Sequence, residues 1–370
     1  MLQQQGPVSW DAARQLAASI AIEGGTEPNI DPLDRIKLEQ LARVAELQVT
    51  NVTGLETTAA IVPVTRGQWI QKTLDSHRSL FEALAASLGP GMSAGLADDP
   101  DDADDPMAKM LGGIMQAFSP VMLGMTVGSM LGHLARRSLG QYDLPIPRPS
   151  SNELMVVLAN VDEFGREWSL PEDDLRLWVC LHEVTHHAVL SVPHVRARLD
   201  SLLREYVAGF EPDSGAMETK LGELEMSDLT GLDEMQKLFS DPEMLLGAIQ
   251  SPAQRELLPR LEALVATIVG YVDHVMDEIG QGLVGSYGMV TEAMRRRRVT
   301  ADPSDRFVER LLGLELTQAQ YERGSAFIEG VVERAGRDAL ARLWADEREL
   351  PTPAEVDAPG LWLARIDLDP

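Results

Sequence analysis

Apolar residues recur three and four positions apart along most of this chain, the spacing that gathers them on one face of an α-helix. Trp10, Ala13, Leu16, Ala17 and Ile20 do so between residues 8 and about 22. Leu33, Ile36, Leu41, Val44 and Leu47 repeat the pattern behind Pro32, a residue accepted in a first helical turn. Further helices are expected over 66–88, from 195 to about 210, from 257 to about 278, and after Asp302 to about 346, and Thr352 with Glu355 reads as a capping box opening a short terminal helix. One run departs from the period. Residues 154–161 are continuously apolar and partly β-branched, the mark of a strand, which serves either as plain core or as an edge for an extended peptide. The pattern therefore predicts a mainly α protein with a small β element: an N-terminal helical region over 1–150, a central region over 151–300 and a C-terminal helical region over 301–370, folded as one unit.

Residues 110–135 carry no charge and place Gly124, Gly128 and Gly132 four apart. The length suffices for a membrane span, but Gln116, Ser119, Pro120, Thr126, Ser129 and His133 dilute it. A buried helix, or two broken at Pro120, is expected instead, with glycines that let another helix approach closely. Residues 143–149, rich in proline, are expected to form an extended linker, the acidic run at 98–105 a solvated loop, and Met217, Met226 and Met235 core filling.

Charge narrows the partners. Fifty-eight acidic against 32 basic residues give a formal net charge of -26, which excludes a broad nucleic-acid surface. The four arginines at 295–298 read as a solvated helix end. The single cysteine, Cys180, rules out an internal disulfide framework and reads as a reduced core residue. The first residues lack the basic start and apolar run of a secretory signal, so a cytoplasmic protein is expected, with no membrane and no nucleic acid among its partners.

The chemistry concentrates in residues 170–190. Ser169 with Glu172 reads as a capping box, Pro171 fits a first turn and Pro193 ends the helix, so His182, Glu183 and His186 fall in its middle as His-Glu-x-x-His. Four residues return to the same helical face, so His182 and His186 can offer two imidazoles to one zinc ion. Glu183, about 100° further round, stands beside the ion as catalytic proton acceptor for the water it activates. Two histidines need a third ligand, and Asp273, His274, Asp277 and Glu278 are the downstream supply.

The run Trp168-Ser-Leu-Pro-Glu-Asp-Asp-Leu-Arg-Leu-Trp-Val-Cys-Leu-His-Glu-Val-Thr-His-His187, together with Gly270-Tyr-Val-Asp-His-Val-Met276 and Gln320-Tyr-Glu-Arg-Gly324, resembles the zincin-like metallopeptidase family of actinobacteria and their neighbours. Some of its members are labelled hydrolases or associated with biosynthesis of the deazaflavin coenzyme F420. The resemblance implies a zincin-like metal helix wrapped by N- and C-terminal helices, zinc as cofactor, and hydrolysis of a peptide or other amide substrate. In that family a Glu commonly precedes the glycine matched by Gly270, as third ligand; here the position is Val269. His274 is taken as the third ligand in its place, with Asp273, one position earlier, as the alternative and a structural role for His274 as the other reading. The competing function is a non-catalytic zincin-fold scaffold or interaction protein with an impaired metal site.

Overall fold

A computed structural model describes residues 6–23, 25–57, 60–94, 106–148, 153–210, 251–300 and 308–368. The acidic run at 98–105, the three methionines at 217, 226 and 235, and residues 302–305 lie outside these. Among the described residues the architecture is helical around one small sheet. The elements run α1 (Trp10–Ile22), α2 (Pro32–Thr53), β1 (Ala60–Val64), α3 (Arg66–Ala94), α4 (Pro106–Arg137), β2 (Glu153–Val157), α5 (Leu158–Glu167), α6 (Glu172–Ser191) and α7 (Pro193–Ala208). They continue as α8 (Pro252–Leu283), α9 (Tyr287–Val299), α10 (Gln318–Ala335), two 3-10 turns, α11 (Pro353–Asp357) and α12 (Pro359–Leu368).

The predicted strand is half right. Only Glu153–Val157 extends, and the chain turns into α5 at Leu158. Leu154 to Val157 are all buried, and β2 pairs in parallel with β1, Ala60 opposite Glu153 through Val64 opposite Val157. Pattern alone overlooked β1 because it is five residues long and contains Pro63, a residue tolerated on an edge strand. The far edge of β2 is covered by Gly140, bridged to Val156, and by Leu139, whose carbonyl accepts from Val157 N at 2.8 Å. With β1 along one edge and Leu139 and Gly140 against the other at Val156 and Val157, β2 is a buried strand.

The central helix α6 packs against α2, α5, α7, α8, α9 and β2, so it is buried almost all round. Its start differs from the expected capping box. Ser169 adopts a left-handed φ of 54° and closes α5: Ser169 N reaches Arg166 O and Leu170 N reaches Gly165 O, the paired bonds of a Schellman stop in which glycine is the usual residue. Helix α6 then begins at Glu172 behind Pro171. Its buried Arg176 donates to Asp162 at 2.9 Å and Asp34 at 3.0 Å, tying α6 to α5 and α2.

Close helix crossings are made by glycine. Helix α4 runs unbroken through Pro120, and a Cβ on Gly124 or Gly128 would lie 2.4 or 2.6 Å from the carbonyl oxygen of Ser9 or Ala13, so this ridge lets α1 lie directly on α4. Residues Phe118–Arg137 form the one stretch among the described residues long and apolar enough to cross a membrane; here it is packed along α1 and α3. A second crossing joins α8 to α10: a Cβ on Gly270 would sit 2.3 Å from the Gly324 carbonyl carbon. That contact is backbone against backbone and has no side chain to yield. Gly270→Ala should therefore cost about 1–3 kcal/mol, the usual penalty for overpacking. Urea unfolding of wild type and variant checks it, and an unchanged midpoint would refute the crossing.

His77 marks a kink in α3, where its φ of -108° and ψ of 15° leave the helical region. Its ring is buried edge-on to Phe81, and burial, helped by Arg148 and Arg204, lowers its pKa to about 3. An unfolded chain takes up this proton near pH 6.5 whereas the native state does so only near 3. Native stability is thus intact above about pH 6.5 and declines toward 3, by up to about 1.4 kcal/mol per pH unit from this group. His77→Leu should flatten the acid limb of stability against pH, measured by urea unfolding in chelator between pH 4 and 7; an identical slope would exclude His77 as a source.

Candidate metal centre

Helix α6 delivers the two histidines as their spacing requires. His182 and His186 lie on one face with ring centroids 4.3 Å apart, and both line a cavity of about 50 Å³, room for an ion or a few waters. Their ring nitrogens are sorted by local bonding. His186 Nδ1 donates to the His182 carbonyl oxygen at 3.1 Å, and His182 Nδ1 faces Glu183 Oε1 at 3.2 Å. Nε2 of each ring makes no hydrogen bond among the described residues, so it is the nitrogen left to face a metal. Burial holds the His182 pKa down to about 4 and that of His186 well below its ordinary value. Both rings are therefore neutral at pH 7, the form that binds metal. Trp178 stacks on His182 at 5.2 Å and Tyr142 on His186 at 5.9 Å, fixing the ring planes.

Glu183 is held from the opposite side by residues that sequence reading placed in an extended linker or passed over. Its Oε2 accepts from the backbone N–H of Gln141 at 2.8 Å and of Tyr142 at 3.0 Å. A Cβ on Gly140 would lie 2.3 Å from the Glu183 carboxyl carbon, so only glycine allows this approach. Asp143 fixes the turn, its Oδ2 accepting from Gly140 N at 3.2 Å and its Oδ1 from Arg297 Nη1 at 3.0 Å. Burial would raise the Asp143 pKa, but the Arg297 guanidinium and the Gly140 N–H outweigh it and hold the group ionised. Burial and then the Asp143 charge push Glu183 up to about 8. Only the Gly-x-x-Asp spacing at 140 and 143 hints at this turn in the sequence.

The third position is where structure and expectation part. Val269 and Asp273, four apart on α8, share the face that lines the cavity. His274, one residue further round, is not among the lining residues, and its buried Nε2 has no hydrogen-bond partner. Asp273 is engaged by Arg298, whose Nη1 and Nη2 each lie 3.2 Å from a carboxylate oxygen. Among the described residues no group of three or more His, Cys, Asp or Glu stands together as a metal site. The donor chemistry fits zinc at His182 and His186; the third protein ligand is not in place.

The arginine run is the other correction. Arg295 and Arg296 are exposed, but Arg297 and Arg298 line the cavity, because α9 lies against α6 and α8 and directs its last turn inward. Arg298 sits over the Tyr321 ring at 4.0 Å, and the Gly270–Gly324 crossing brings Tyr321 of α10 near Asp273 of α8.

A buried helix carrying His-Glu-x-x-His, with a neutral imidazole pair and a carboxylate anchored beside it, defines the zincin class of metal-site proteins. The family profile of zincin-like metallopeptidases matches residues 8–363, and the chain belongs to that family. It is also similar, at 26% identity and a TM-score of 0.67 over 97% of this chain and 99% of the other, to the crystal structure of a "putative hydrolase with a novel fold" from Chloroflexus aurantiacus. No curated protein matches it. Wild type should retain zinc after incubation and desalting, whereas His182→Ala with His186→Ala should not; equal, low zinc in both would mean that no such site exists.

Proposed function

We propose that this chain is a zinc-dependent hydrolase that cleaves a peptide or other amide bond. The observation that carries the reading is the pair of neutral imidazoles, each with Nε2 unengaged, opening on one cavity with Glu183 at its edge. His182 and His186 would hold the zinc, which would supply the Lewis acidity that polarises a carbonyl and makes water nucleophilic near neutral pH. Glu183 accepts the proton from that water and passes it to the leaving amine, so that water and amide become acid and amine. The Gln141 and Tyr142 N–H groups hold its carboxyl group in place beside the histidine pair. Burial raises the Glu183 pKa above the ordinary carboxylate range, the direction that makes it a stronger base.

Space for substrate lies next door. A cleft of about 440 Å³ between α1, α4, α5 and α9 shares Arg137, Leu139 and Arg297 with the metal cavity. An amide in this cleft reaches the histidines by displacing Arg297, which spans from Asp143 and the Arg137 carbonyl to the face of Phe164, 5.9 Å away.

A second reading, a zincin-fold scaffold without turnover, is favoured by the small volume of the cavity and by the engagement of Asp273 with Arg298. Glu183→Gln separates the two. For a hydrolase, zinc content stays near wild type while turnover of a peptide and amide library falls by about a hundredfold or more. Wild-type protein that holds zinc and cleaves nothing in the library is a scaffold.

A further inference from the structure

Four carboxylates line the metal cavity: Asp143, Glu183, Asp273 and Glu309. Their attachments differ. Asp143 is tied to two backbone N–H groups, Leu139 and Gly140, and to Arg297. Glu183 is tied to two more, at Gln141 and Tyr142. Glu309 has interactions of its own. Asp273 alone of the first three is held only by a side chain, the guanidinium of Arg298. Backbone anchors are fixed by the fold, whereas an arginine on the last turn of α9 changes position by rotating about its own side-chain bonds. Asp273 and Arg298 are also partly solvent-accessible, so water can take over their hydrogen bonds when they separate.

A divalent ion and a guanidinium compete for the same carboxylate, since each satisfies its charge and neither tolerates the other at contact distance. The cavity already holds three guanidinium groups, from Arg137, Arg297 and Arg298, and adding zinc to two neutral imidazoles places two more positive charges among them. A third, anionic ligand is what such a site lacks. Asp273 shares the cavity-facing side of α8 with Val269 and lines the same cavity as His182 and His186.

Resting on the zinc reading above, we propose that Arg298 is a built-in competitor for the metal: it holds Asp273 off the histidine pair, and Asp273 becomes the third protein ligand when that ion pair opens. Tyr321, under the guanidinium at 4.0 Å, is the seat that keeps Arg298 in place while the pair is closed. No bond is made or broken beyond coordination, and Arg298 keeps its charge throughout. The site thus exists in two states of the same side chains, a closed one with Arg298 on Asp273 and a metal-ready one with Asp273 turned to the histidines.

The test is zinc affinity of the full chain, read by competition with a chromophoric chelator and so independent of any turnover. Arg298→Met should tighten zinc at least tenfold, and Asp273→Asn should weaken it. The decisive variant combines the two. If Asp273 is the ligand being released, Arg298→Met brings no gain in the Asp273→Asn background; if the gain persists there, Arg298 acts only through its charge and the proposal is overturned. Unchanged or weaker zinc binding by Arg298→Met with native circular dichroism overturns it as well. Should that variant fold poorly, Arg298→Lys, which keeps the charge but loses the two-pronged grip, should give a smaller gain with the same dependence on Asp273, and no gain there counts against the proposal. The His182→Ala, His186→Ala protein separates failures. Histidine-dependent zinc in wild type with no effect of Arg298 sinks this inference alone, whereas zinc no higher than that double variant in every protein sinks the metal reading and this inference with it.

Discussion

The grip of two backbone N–H groups on the Glu183 carboxylate is the contact on which the site depends. A carboxylate buried this deeply is costly, and its position has to be enforced by the fold. The enforcement comes through the sheet: β2 carries Leu139 and Gly140 along its edge, the turn that follows presents the Gln141 and Tyr142 N–H groups, and Gly140 leaves the volume that the carboxylate fills. A strand of five residues thereby sets the orientation of the Glu183 carboxyl group on a helix packed against it. Trp69 closes the arrangement from α3, donating its indole N–H to the Gly140 carbonyl at 2.9 Å.

Two different devices bring the remaining walls together. Glycine does it where helices cross, at Gly270 against Gly324 and along the α4 ridge, because only a missing Cβ lets backbones come so close. Charge does it where helices end. The last turn of α9 brings Arg297 to Asp143 and Arg298 to Asp273, and guanidinium groups at a helix C-terminus are also favoured by its dipole. In a chain with a net charge of -26, gathering arginines around one cavity is local specialisation against the general trend. The consequence is a metal helix with its imidazoles neutral and ready, beside carboxylates already committed to the protein.

That commitment bears on the balance between enzyme and scaffold. A zinc site with three protein ligands keeps a fourth position for water or substrate. In the proposed zinc site two ligands would be preset by helix spacing, and the third would depend on which cation Asp273 faces. On that proposal stability and activity would pull in opposite directions: the Arg298–Asp273 pair knits α9 to α8, and the same pair would withhold an anion from the metal.

What the sequence alone determined was whatever depends on near neighbours along the chain. The helical period, the placement of His182, Glu183 and His186 within one helix, and the small-residue ridge of α4 follow from spacings of three and four residues, and so were legible. Cys180 as a buried, unpaired thiol was legible for the same reason, since it falls on the buried middle of α6. What only the tertiary structure decided was every relation between residues far apart in sequence. That β1 pairs with β2, that residues 139–143 cradle Glu183, that Ser169 ends one helix rather than starting the next, and that Arg297 and Arg298 turn inward while Arg295 and Arg296 do not, all depend on what packs alongside. The third ligand position is the sharpest instance. Asp273 and His274 are adjacent letters, but a helix turns about 100° per residue, so packing against α6 brings one to the cavity and leaves the other out of it.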